Sequence, residues 1–280
     1  MNYIKTGLLL AILTLILVWI GGIFGGGRGA LIAFLLALVL NGISYWYSDK
    51  IVLALYKAKE LPRDKFYHLY NLVEELTQTA GLPMPKIYMV ENKSPNAFAT
   101  GRNPQKAVVC VTRGLLELLD EDELKGVLAH ELAHVKNRDT LTMTVTAAIA
   151  GAIMMLAYMA RWAAIFGGYS KDREGSGNIF SLLLVSIVAP IAALIVQLAI
   201  SRSREYSADR QGAYFAKNPM GLANALKRLE KAQKTYPMKA SPQTAHLFIV
   251  SPFRAGFITN LFSTHPPIEE RVKRLERLNV

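Results

Sequence analysis

Four long apolar runs break an otherwise mixed pattern of hydrophobic and polar positions: residues 7–24, 30–47, 141–160 and 179–200. A helix that crosses a membrane needs about 20 mostly apolar residues, and each run meets or approaches that length. The first two are joined by "GGGRG", a tight glycine-rich turn, and Trp46 and Tyr47 close the second as interface anchors. The first run is too long for the apolar part of a cleaved signal peptide and lacks an A-x-A site, so a retained hairpin is expected. The last two are less apolar and flank a polar Gly/Ser loop at 167–178, with Pro190 as an expected kink. They read as a second membrane hairpin, against the competing reading of a buried hairpin in a soluble core.

The remaining segments, 48–140 and 201–280, alternate as water-facing sequence does. The first predicts an amphipathic helix over 64–79, stopped by Gly81 and Pro83. Two short strands follow, in "KIYMVENKSPNAFATG" and "KAVVCVTRGLL", with a turn at "RNPQK". A helix over 120–137 is marked at its start by Asp120 and, three residues on, Glu123, the pattern of a capping box. Residues 221–234 and 266–278 also read as helices, the latter with Ile268, Val272 and Leu275 on one face. The expected organisation is an N-terminal membrane hairpin (1–47), a first part of a globular domain (48–140), a second hairpin (141–200) and the rest of the domain (201–280).

Composition sharpens this picture. The chain of 280 residues is 52% hydrophobic, with a mean hydropathy of +0.24, yet carries a formal charge of +11. Membrane proteins with basic flanks combine these properties; a nucleic-acid protein is disfavoured because the basic residues sit beside apolar runs and no nucleic-acid motif is present. Lysine and arginine cluster near one set of run ends (Lys5, Lys50, Lys57, Lys59, Arg63, Lys65, Lys136, Arg138, Arg202, Arg204, Arg210), which places both termini and both polar segments on the cytoplasmic side of four spans. The single cysteine, Cys110, excludes an internal disulfide and a cysteine-built metal cluster.

The chemistry concentrates in "LAHELAHVKN", residues 128–137. On a helix, His130 and His134 share a face, as a tetrahedral zinc site requires of two imidazoles. Glu131 is turned about 100° away and can reach a water without occupying a coordination position. Zinc lowers the pKa of such a water toward about 7, and the carboxylate accepts its proton. The surrounding Val127, Leu128, Leu132 and Val135 make the helix largely apolar, so these polar side chains need a partner such as a metal. No third histidine follows at short spacing, since positions 137 and 140 are Asn and Thr. "SRSREYSADR", just past the fourth run, offers Glu205 and Asp209 at i and i+4. One could ligate zinc while the other holds the free N–H of a ligand histidine. Pairing of Glu205 with Arg202 or Arg210 on a solvated face is the alternative.

"NAFATG", "HELAH", the long hydrophobic hairpin, "EYSAD" and "THPPIEER", in that order along nearly the whole chain, resemble the HtpX-like membrane zinc metalloproteases, heat-shock proteases related to the CAAX prenyl endoproteases. The resemblance implies a mainly α membrane protein with four transmembrane helices and a zincin-like α+β cytoplasmic domain with a small sheet. It implies one Zn2+ per chain, held by His130, His134 and Glu205, with Glu131 as catalytic base and Asp209 behind the ligands. His265 and Arg271 match the family's late histidine and arginine near the developing oxyanion. Asn96, Ala97, Phe98 and Ala99 match a strand beside the cleft, where an extended substrate could pair through its backbone. The expected activity is endopeptidase cleavage of misfolded or damaged membrane proteins at the inner membrane. Prenyl-protein processing and a non-catalytic, zinc-stabilised membrane scaffold are the rival readings. His68 and His246 match nothing and read as structural or surface residues.

Overall fold

A computed structural model describes residues 2–141, 204–235, 249 and 266–280. The described residues fall into two compact units, one within Met1–Trp46 and one drawn from Tyr47–Thr144 and Ile200–Val280. The third and fourth apolar runs lie outside the described residues.

The first unit is built on helix α1 (Asn2–Leu55), which turns back on itself. Gly26 has φ +56°, and Gly21 and Gly29 meet backbone to backbone. Residues eight apart in a straight helix stand about 12 Å apart, so this contact requires a reversal between them. Asn41 Nδ2 donates to Thr14 Oγ1 at 3.2 Å across the two arms, pairing two polar groups on otherwise apolar helices. The stretch Gly25–Ile43 is long and apolar enough to cross a membrane, with mean hydropathy 1.7; the apolar stretch before it, Leu10–Ile23, is shorter. Of the four expected spans, this single stretch reaches spanning length among the described residues.

The second unit carries a four-stranded sheet against helices. Strands β1 (Lys59–Glu60), β2 (Lys86–Val90), β3 (Ala97–Thr100) and β4 (Val108–Thr112) lie in the order β1-β2-β4-β3. β2 runs parallel to β4, with Ile87 opposite Val109; β3 runs antiparallel to β4, with Ala99 opposite Val109. β4 is buried along its whole length, which explains its unbroken apolar run. The stretch 86–101, expected as one strand, is two. Pro95 supplies no ladder N–H, and Asn92 Oδ1 accepts from Ser94 N at 2.8 Å, closing a local turn that breaks the strand. The "RNPQK" turn is a short 3-10 helix, Pro104–Lys106, capped by Asn103.

Helix α2 (Tyr67–Ala80) starts three residues later than its periodicity suggests and ends where Gly81, at φ 66°, donates back to Gln78 and Thr77 carbonyls. Its Leu69, Leu72, Val73 and Leu76 face inward. α3 (Arg113–Leu118) is capped by Thr112 Oγ1, which accepts from Leu115 N. The expected capping box opens α4 (Glu121–Asn137): Glu123 N donates to Asp120 Oδ1 at 3.0 Å, and Asp120 N to Glu123 Oε2 at 3.1 Å. Helices α5 (204–216), α6 (Pro219–Thr235) and α7 (Ile268–Leu275) complete the described unit.

α4 is the central element, packed against α2, α6 and β3. Val127, Leu128 and Leu132 join Leu222, Leu226 and Leu229 of α6 and Val272 and Leu275 of α7 in one core. Two glycines allow the α4–α6 approach. A Cβ on Gly126 would strike the backbone of Leu222, and one on Gly221 the carbonyl of Asp122. Replacing Gly126 with Ala therefore forces the helices apart, and a loss of about 1–3 kcal/mol is expected from the overpacking. Denaturant unfolding of the purified chain, compared with the native protein, measures it.

Candidate metal centre

The site is assembled from α4 and α5. His130, Glu131 and His134 occupy the buried middle of α4, at 1%, 5% and 4% exposure. Glu205 and Asp209 project from one face of α5, one turn apart, and both are buried. The two helices meet closely because α5 presents Gly212 to α4: a Cβ there would stand 2.9 Å from His130 N. α4 ends at Arg138, which takes the left-handed conformation at φ 58° and donates to the His134 and Val135 carbonyls. This reversal turns the next residue, Asp139, back toward the histidines.

Each imidazole is held from behind by a carboxylate. His130 Nδ1 lies 3.0 Å from Asp209 Oδ1, and His134 Nδ1 lies 3.2 Å from Asp139 Oδ2. An ionised carboxylate only accepts, so each one favours the ring tautomer that carries its proton on Nδ1 and leaves Nε2 facing inward for a metal. Those two Nε2 atoms are 3.2 Å apart. Glu205 completes a triangle, with Oε1 at 3.3 Å from His134 Nε2 and Oε2 at 3.6 Å from His130 Nε2. Ligands at 2.0–2.1 Å from a tetrahedral ion are spaced about 3.3 Å from one another. Three electron-pair donors therefore converge, in a dry interior, at the spacing a metal ion requires. Burial opposes a cation on His134, yet Asp139 and Glu205 outweigh it and push that pKa up to about 10; the pocket favours positive charge.

Glu131 stands beside this cluster and does not join it. Its carboxylate accepts a hydrogen bond from Ala99 N–H, and burial pushes its pKa up to about 8, with Glu205 adding to the rise and His134 opposing it. Ala99 lies on β3, an outer strand of the sheet. Ala97 and Ala99 belong to the core shared with α4, whereas Phe98 packs with Val52, Val90 and Cys110 in a separate apolar cluster. Asn96 is a structural anchor: its backbone pairs with Thr112, and its Oδ1 accepts from Ile249 N at 3.1 Å.

Arg271, expected near a developing oxyanion, has other partners. It is fully buried and grips Asp209 with two donors, Nε to Oδ2 at 2.9 Å and Nη2 to Oδ1 at 2.7 Å. Its Nη1 donates to the Ile249 carbonyl at 2.9 Å and lies 3.6 Å from Glu205 Oε2. Burial opposes ionisation of Asp209, but Arg271 and His130 outweigh it and hold its pKa below the usual carboxylate value. His265 and His246 lie outside the described residues. His68 is exposed and pairs with Glu121 at the surface. Two residues at the centre escaped the sequence reading: Asp139 and, 3.5 Å from it, Arg204. The available signal was an aspartate five positions after His134, immediately beyond the end of the helix.

Comparison with known proteins agrees with this geometry. A family model described as Peptidase family M48 matches residues 64–279. The chain belongs to peptidase family M48. It is 54% identical over 277 residues to the Protease HtpX homolog of Syntrophobacter fumaroxidans, covering 98% of both chains. The Protease HtpX homolog of Thermococcus kodakarensis is 53% identical over 277 residues, covering 99% of this chain and 96% of that one. Among solved structures, the crystal structure of S. mikatae Ste24p is similar in fold, with a TM-score of 0.56 at 21% identity, over 98% of this chain and 65% of that chain. This M48 member is accordingly a metalloprotease, a hydrolase of peptide bonds, and His130, His134 and Glu205 form a cluster suited to its metal ion.

The grip of Arg271 on Asp209 yields a stability prediction. Arg271→Gln leaves a buried carboxylate without its cation, a change that costs about 3–5 kcal/mol. Arg271→Lys cannot restore the two-donor geometry and recovers little of it. Thermal unfolding of the two variants beside the native chain checks both statements.

Proposed function

We propose that the chain is a membrane-anchored, zinc-dependent endopeptidase that cleaves misfolded or damaged membrane proteins from the cytoplasmic side. One observation carries the catalytic part: three lone-pair donors at tetrahedral spacing, with a fourth carboxylate, Glu131, between them and the backbone of an outer strand. The donor set of two imidazoles and one carboxylate leaves one position open for water, as hydrolytic zinc sites do. When bound there, zinc supplies a Lewis acid for the scissile carbonyl and makes water acidic near neutral pH.

In this reading, Glu131 takes the proton from the attacking water and later delivers it to the leaving amine. Burial raises the proton affinity of this carboxyl, the direction that lets it hold the proton it takes until the leaving amine needs it. β3 supplies a template for an extended peptide, which would pair by main-chain hydrogen bonds along Ala97, Phe98 and Ala99. To do so it would draw Ala99 N–H away from Glu131 and free the carboxylate. Backbone pairing is indifferent to side-chain identity, which suits damaged substrates of varied sequence. His265 remains a proposed oxyanion donor on the strength of the family resemblance. Arg271 acts through Asp209 and Glu205.

The proposed anchor is the α1 hairpin together with a second hairpin at 141–200, which gives four spans and cytoplasmic termini. The spanning stretch Gly25–Ile43 and the concentration of lysine and arginine at one set of run ends support it. A catalytic domain split around the second hairpin, as 48–140 and 201–280, follows from that topology.

Glu131→Gln tests the mechanism. The variant is expected to keep its zinc while cleavage of an unfolded polypeptide drops by roughly 10²–10⁴; undiminished cleavage sinks the role of Glu131. An epitope placed in the 170–177 loop should be reachable from outside intact cells. Protection there would contradict the four-span topology.

A further inference from the structure

His130 and His134 are held by two similar arrangements, and only one of them is explained by Asp209 and Arg271. The other is Asp139. It is 1% exposed, lies 3.2 Å from His134 Nδ1, and faces Arg204 Nη1 at 3.5 Å. The Arg204 side chain is 12% exposed, and its Nη1 is buried without a hydrogen-bond partner, so the Asp139 charge is its compensation on that side. The positions of the two residues add meaning. Asp139 stands just before the apolar stretch 141–200 and Arg204 just after it.

We propose that Asp139 and Arg204 form a second positioning pair for the metal centre, in which the carboxylate fixes the ring and tautomer of His134 and the arginine ties that carboxylate to the start of α5. The pair has the same order as Arg271–Asp209–His130, arginine to carboxylate to ligand imidazole. It differs in one respect: its two members stand on opposite sides of the 141–200 stretch in sequence. Orientation of His134 is therefore tied to the spacing between the end of α4 and the start of α5. Drawing those two ends apart loosens a metal ligand without touching it. This rests on the reading of His130, His134 and Glu205 as ligands. It assigns no proton transfer to Asp139 or Arg204, and neither contacts the reacting atoms; they are positioning residues.

The test is metal affinity, measured on the purified full chain by competition for zinc with a chromogenic chelator. The visible spectrum of the cobalt-loaded chain is the second readout. Asp139→Asn should weaken zinc binding by roughly 10–100-fold and shift the cobalt bands. Asp139→Glu, which keeps an ionised acceptor, should retain most of the affinity. Arg204→Gln should weaken binding by a smaller factor, and adding it to Asp139→Asn should cost nothing further, because the two act through one contact. Affinity within twofold of native and an unchanged spectrum in Asp139→Asn would overturn the proposal. Fully additive losses would remove Arg204 from it. Should Asp139→Asn not accumulate, Arg204→Gln decides alone, and an unchanged affinity and spectrum defeat the pair. His134→Ala separates this inference from the reading beneath it. If that variant binds zinc as tightly as the native chain, the ligand assignment has failed, not merely its second positioning pair.

Discussion

Three potential ligand atoms crowd one point in a dry interior that favours positive charge, and the catalytic half of this protein is organised around that fact. His130 Nε2, His134 Nε2 and one or other Glu205 oxygen stand 3.2–3.6 Å apart with little solvent to screen them. Without a cation this arrangement is costly; with one it becomes a coordination shell. The surrounding groups make sense as devices that hold the three atoms in place. Asp209 and Asp139 fix which nitrogen of each ring carries the proton. Arg271 holds Asp209 with two donors and lies near Glu205 as well, so one guanidinium steadies two of the carboxylates that face the histidines.

Such precision needs short distances between helix axes, and these are set by backbone features rather than by large side chains. Gly212 brings α5 against the backbone of His130, and Gly126 with Gly221 brings α6 against the first turns of α4. The left-handed Arg138 then ends α4 within one residue, so that Asp139 can reach back to His134. A residue with a Cβ tolerates that conformation at a cost of about 1–2 kcal/mol, and the surrounding contacts must hold it there. β3 enters the same scheme from the other side, because the N–H of Ala99 reaches Glu131 while Ala97 and Ala99 share the core with α4.

How much of this could be read from the sequence depended on the range of the signal. The His130, Glu131 and His134 set, the Asp120 capping box and the Glu205 and Asp209 pair are helical spacings of three or four residues, so periodicity revealed them. Gly81 marked the end of α2 for a similar reason. The strand break at 91–96 had a sequence signal, since "ENKSPN" carries no apolar alternation and includes Pro95; the break itself comes from the Asn92 side chain and the missing N–H of Pro95. Asp139 was missed because its place in the site depends on the φ of Arg138, and a non-glycine residue gives no warning of a left-handed turn. The partner of Arg271 was invisible for a different reason: the bidentate contact with Asp209 joins residues 62 apart in the chain, and no local pattern encodes it.

The division of the ligands between two distant segments also has an energetic explanation. The entropy of closing a loop rises only with the logarithm of its length, by about 0.6 kcal/mol for each doubling. Placing a long apolar stretch between His134 and Glu205 therefore costs little more than a short connection would. What must be supplied is a core that brings α4 and α5 together, and the α4–α6–α7 packing around Leu128, Leu222, Leu226 and Leu275 supplies it. A metal ion then acts as a cross-link across that loop, and its binding energy becomes part of the folding energy of the domain. A site of this kind tolerates a long insertion between its halves and remains sensitive to the few residues, Asp139 and Arg204 among them, that stand where the insertion begins and ends.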